Sequence, residues 1–149
     1  MIPSVSLKRG SWVVVCDGRK SLFLENAGKV TAPRLVLKEE RSTTSAPARE
    51  LGTDRPGRVY QSTGARRSSV EQFDRHAEAE RLFLREVAAR LDRAVLAGEV
   101  EDIVVVAPPR ALGVLRAEFS HRVQAAVRGE IAKDLVGVPV DQILARITE

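Results

Sequence analysis

A β-strand with no polar residue on either face has to be covered on both sides, and the chain carries two, inside SWVVVC (Ser11–Cys16) and DIVVVA (Asp102–Ala107). Both belong in the centre of a sheet. Between them lies the stretch VEQFDRHAEAERLFLREVAARLDRAVLA, where Val70, Phe73, Ala77, Leu84, Val87, Ala88, Leu91 and Val95 recur chiefly at spacings of three, four or seven. That is the stripe an amphipathic helix turns toward a core. A buried strand, a helical crossover and a second buried strand make an α/β unit whose two strands run parallel through a right-handed connection.

The remaining elements attach to this unit. Asp17-Gly18 is a type I′ turn signal, so Ser21–Glu25 (SLFLE) runs back as a second strand. Asn26-Ala27-Gly28 marks another turn, and Arg34–Glu39 (RLVLKE) alternates as a third, more exposed strand. After Pro108-Pro109, residues Pro109–Phe119 read as a short helix with proline in its first turn. Val127–Lys133 reads as a strand interrupted by Gly129, while Ala125–Val127 can equally extend the helix before it. A final helix, Pro139–Ile147, turns Val140, Ile143, Leu144 and Ile147 to the core. The sheet is mixed, and no internal repeat is present.

At 149 residues the chain is expected to form one domain over residues 1–149, burying about 68–70% of its unfolded surface. Its apolar runs are too short to span a membrane. The opening MIPSVSLKRG has neither the apolar core nor the cleavage site of a secretory signal, so a cytoplasmic location is expected. A single cysteine, Cys16, leaves no disulfide framework, and it reads as a small buried core residue. The aromatic content of 4% does not suit a surface that stacks many single-stranded bases.

The positive charge is local. From Arg41 to Ser68 six arginines (Arg41, Arg49, Arg55, Arg58, Arg66, Arg67) face two acids (Glu50, Asp54), a balance of +4, which equals the net charge of the whole chain. This segment, the basic loop 41–69, is expected to run into the long helix. Ser68 with Glu71 and Ser69 with Gln72 both match the S-x-x-[EQ] capping pattern, which puts the helix start there. Gly98 supplies its stop. The helix is then about 42 Å long, with the positive end of its dipole on an arginine-rich loop, an arrangement that attracts phosphate.

Familiar catalytic signatures are missing: P-loop, G-x-G-x-x-G, G-x-S-x-G and H-E-x-x-H are all absent. Asp74 with His76, followed by Glu78 and Glu80, is a candidate acid–base or polar site; on a helix, however, His76 shares a face with Glu80 and reads as a surface ion pair. His121 sits at a helix end, where an imidazolium complements the dipole. Asp17 and Asp102 bound the two apolar strands and imitate a nuclease's carboxylate cluster, but turn and strand-edge roles fit them better. No metal site or cofactor is expected.

Three segments in order, WVVVCDGRKSLFLENAG, GTDRPGRVYQSTGARRSSVEQFDRH and VVVAPPRALGVLR, resemble the bacterial host attachment protein family, bacterial relatives of the archaeo-eukaryotic release factor middle domain. The resemblance implies a ribonuclease H-like α/β layer structure with five strands in the order 3-2-1-4-5, strand 2 antiparallel, and one long central helix. In such release factors a Gly-Gly-Gln loop before that helix helps water hydrolyse peptidyl-tRNA. Here the matching loop has QSTG, with Gln61 and Gly64 in the wrong order, and no Gly-Gly-Gln. The resemblance therefore implies a non-catalytic, ribosome-associated module that meets ribosomal RNA or tRNA. Arg55, Arg58, Arg66 and Arg67 would contact phosphates, Gly57 and Gly64 would allow close backbone approach, and Gln61 would lie beside them. Two alternatives stay open. One is a hydrolase acting on peptidyl-tRNA through Gln61 or on RNA through Asp17; the other is a protein-interaction module linked to host attachment, such as a homodimer through a strand edge.

Overall fold

The computed structural model describes residues 7–43 and 58–148, with side chains for 7–43 and 75–148. The elements in chain order are β1 (Trp12–Cys16), β2 (Lys20–Asn26), β3 (Leu35–Ser42), α1 (Arg58–Leu96), β4 (Ile103–Ala107), α2 (Pro109–Glu118), α3 (His121–Ala126), β5 (Val127–Ala132) and α4 (Val140–Ile147). The sheet order is β3-β2-β1-β4-β5. β2 is antiparallel to both neighbours, whereas β1–β4 and β4–β5 pair in parallel. This is the strand order and direction that the resemblance implied.

Why β1 and β4 are wholly apolar is now visible. Trp12, Val14 and Cys16 point to one face of the sheet with Ile103 and Val105, where α1, α2 and α3 cover them. Val13 and Val15 point to the other with Val104 and Val106, where Leu135, Ile143 and Ile147 close a second core. Each residue alternates sides, and each side is a buried apolar cluster. Phe83, Leu84, Val87, Ala88, Leu91 and Ala94 form the buried stripe of α1; complete burial of a residue such as Leu91 contributes about 1.5–3 kcal/mol.

Polar clasps hold the layers in register. Arg90 of α1 lies 5.4 Å over the Trp12 ring and binds Glu39 of β3 at 2.9 Å and Glu99 at 3.2 Å. The expected stop of α1 is present. Gly98 has φ of 76°, its N–H donates to Val95 O at 3.1 Å, and the Glu99 N–H donates to Ala94 O at 2.8 Å. That pair of bonds is a Schellman ending.

Three expectations are corrected. The long helix starts at Arg58, not at Ser68 or Ser69, and has 39 residues. The two capping patterns lie inside it, because extending a formed helix costs far less than starting one, and residues 58–67 carry a single strong breaker, Gly64, worth about 1 kcal/mol. The β1–β2 turn is not type I′: positive φ occurs at Gly10 and Gly98 and not at Gly18. Instead, Asp17 Oδ1 accepts the N–H of Arg19 at 2.8 Å and of Lys20 at 2.9 Å, a side-chain-closed turn. Finally, a separate short helix, α3, begins at His121, so His121 stands at a helix N-terminus and cannot complement the dipole there. Ser120 caps that helix by accepting from Val123 N at 3.2 Å.

Candidate functional site

Arg55 and Gly57 lie outside the described residues. Arg58, Gln61, Gly64, Arg66 and Arg67, expected on a loop, all lie within the first ten residues of α1. Helical turning of about 100° per residue spreads positions 58, 66 and 67 over more than one side of the helix within about 14 Å along its axis. The first turn holds no acidic residue to offset the dipole. Of the six arginines that made the segment basic, Arg41 is spent elsewhere, as part of β3 and paired with Glu39 at 2.7 Å.

Asp74 and His76 fall on α1 as expected. His76 is exposed and, among the described residues, makes no ion pair with Glu80. Glu80 instead packs its methylenes against the β1–β2 turn, where a Cβ on Gly18 would come within 2.6 Å of Glu80 Cγ. That close approach accounts for a glycine at position 18.

Asp17 and Asp102 do not meet. β1 and β4 are parallel, with Trp12 opposite Ile103, so Asp17 follows the carboxyl end of one strand and Asp102 precedes the amino end of the other. About 17 Å of strand separates the two ends. Asp102 receives Arg128 Nε at 2.6 Å and Lys8 Nζ at 3.6 Å, and the Arg128 hydrogen bond holds its carboxyl below the usual range. Cys16 is fully buried, and burial pushes its thiol up to about 12, far from a nucleophile's range. Among the described residues no group of three or more His, Cys, Asp or Glu is arranged to hold a metal ion, and no helix is long and apolar enough to cross a membrane.

What the fold does create is a crevice at the carboxyl ends of β1 and β4. From β1 the chain leaves toward β2 and β3; from β4 it leaves the other way, toward β5. Diverging connections of this kind open the position where α/β sheets take ligands. The crevice has a volume of about 520 Å³. Asp17, Gly18 and Arg19 of the β1–β2 turn form one wall, and Pro108, Arg110, Ala111 and Val114 at the start of α2 form a second. Ala77, Glu80, Arg81 and Leu84 of α1 close it.

Its charges are unequal. Arg81 is held by Glu78 at 2.8 Å and by Glu118 at 3.6 Å. The exposed Arg19 and Arg110 have no acidic partner among the described residues. Pro108 gives α2 no side-chain cap. None of these crevice cations stood out in the sequence, although a Pro-Pro-Arg step after a buried strand marks the carboxyl end where such a site forms.

Comparison with known proteins gives one family. The model described as bacterial archaeo-eukaryotic release factor family 12 matches residues 10–147. No curated protein matches the chain.

Proposed function

The chain belongs to bacterial archaeo-eukaryotic release factor family 12, and from that premise we propose that it is a non-catalytic module of the translation machinery that binds ribosomal RNA or tRNA in the cytoplasm through the amino-terminal part of α1. The observation that carries this is a mismatch of lengths. α1 has 39 residues, about 58 Å, while β1 and β4 have five each, about 17 Å. Among the described side chains, its buried positions run from Phe83 to Ala94. The 25 residues from Arg58 to Leu82 correspond to about 38 Å of helix, more than the sheet can cover.

Charge and direction agree with that reading. Between Arg55 and Val70 stand four arginines and no acid. A cationic helix end that outruns its own body offers phosphates both arginine side chains and the free N–H groups of its first turn. Hydrolysis is not part of the proposal: the Gly-Gly-Gln of hydrolytic release factors is missing, and Gln61 is the fourth residue of a helix.

Co-sedimentation with ribosomes tests it. The full chain is expected in the pellet at low salt, and Arg66→Ala with Arg67→Ala is expected to leave most of it in the supernatant. Pelleting indifferent to salt and to both substitutions would refute the proposal.

A further inference from the structure

We propose that the crevice at the carboxyl ends of β1 and β4 is a binding site for a nucleoside monophosphate, either free or as the terminal nucleotide of an RNA. Its size, about 520 Å³, falls in the range of small-ligand pockets. Its inner surface is apolar, from Leu84 and Ala77 on α1 and Ala111 and Val114 on α2. Its mouth carries Arg19 and Arg110, two exposed guanidinium groups without an acidic partner among the described residues.

A ligand must satisfy all three features. The apolar walls ask for a compact apolar body, and the two cations ask for an anion, to which each charge-assisted bond adds more than a neutral one. The two carboxylates decide between anions. Asp17 uses Oδ1 for the backbone of its turn, leaving Oδ2 free to accept, and Glu80 has no hydrogen-bond donor among the described residues. A fatty acid would leave those acceptors facing an anion with no donor to offer, and inorganic phosphate, although its O–H can donate to one of them, would leave the apolar walls uncovered. A ribose or an exocyclic base amine supplies donors, and the base fills the apolar part. This proposal uses no residue between 55 and 67, so it stands or falls separately from the RNA-binding reading of α1.

Isothermal titration of the full chain with AMP, GMP, CMP and UMP tests it, with inorganic phosphate and adenosine as partial ligands. At least one mononucleotide is expected to saturate the protein below about 1 mM, and to bind about tenfold or more tightly than inorganic phosphate or adenosine. Arg110→Ala and Arg19→Ala are each expected to weaken it by about tenfold, the loss of one charge-assisted contact, while the distant Arg146→Ala leaves it unchanged. Both arginines are exposed, so these variants fold; Val114→Trp, which fills the crevice, is expected to abolish binding. The proposal is overturned by no saturation with any of the four, by equally tight binding of inorganic phosphate, or by affinity unchanged in both arginine variants. A 5′-phosphorylated trinucleotide separates the sources: tighter binding than the mononucleotide assigns the site to an RNA end, and equal or weaker binding assigns it to a free nucleotide.

Discussion

Asn26 carries more of the fold than any other polar side chain described. Fully buried, it donates to Leu7 O at 2.8 Å and Lys8 O at 3.3 Å, and accepts from Gly28 N and Arg34 N, both at 2.8 Å. It thereby ties the segment before β1 to the β2–β3 turn. Asn26→Ala strands these backbone groups, and the expected cost is about 2–4 kcal/mol, read as a lower urea midpoint at an unchanged slope. An effect below about 0.5 kcal/mol would mean that water replaces the amide. Asp102 gives a pH signature. Its folded carboxyl titrates below its unfolded value, so its contribution is fully present above about pH 4 and is lost as pH falls through the lower, folded value. Asp102→Asn is therefore expected to cost about 0.5–1 kcal/mol at neutral pH and to flatten the acid limb of the stability curve; an acid limb identical to the parent's would assign that limb to other carboxylates. In the sequence Asn26 read only as a turn residue and Asp102 only as a strand edge, because the partners of both lie on other elements.

Among the elements, α1 is legible in the sequence along its packed half and not at its start. Periodicity identified Leu84, Val87, Ala88 and Leu91, all of which are buried, because the stripe and the core are the same fact seen twice. A start signal carries no such guarantee: a capping pattern states what a helix end would gain, not that the helix ends there. Gly64→Pro probes the difference. In the interior of a helix beginning at Arg58 it costs about 3 kcal/mol locally, so far-ultraviolet circular dichroism should lose the signal of roughly the first two turns. The urea midpoint should stay put, since among the described side chains the buried stripe begins at Phe83; Val70 and Phe73, expected on the same stripe, lie outside the described side chains. An unchanged dichroism spectrum would argue that these turns are not helical in solution. The strands needed less inference, although β3 runs on to Ser42, three residues past its expected end, because pairing with β2 continues as far as Lys20.

For the whole molecule, the charge distribution sets the measurable behaviour. If three or four phosphates are neutralised, log affinity for single-stranded RNA should fall with log salt at a slope of about −2 to −3, and Arg66→Ala with Arg67→Ala should shallow that slope by about 1.4. A slope near zero would remove the electrostatic basis of the proposed function. What the chain determined by itself was whatever depends on neighbours in sequence: two strands buried on both faces, the amphipathic face of α1, its glycine stop, and the net positive segment from Arg41 to Ser68. What only the tertiary structure decided was whatever depends on where the chain turns. Residues 17–19, 77–84 and 108–114 line one crevice because β1 and β4 are parallel neighbours whose connections part in opposite directions, and no periodicity or local motif encodes that divergence.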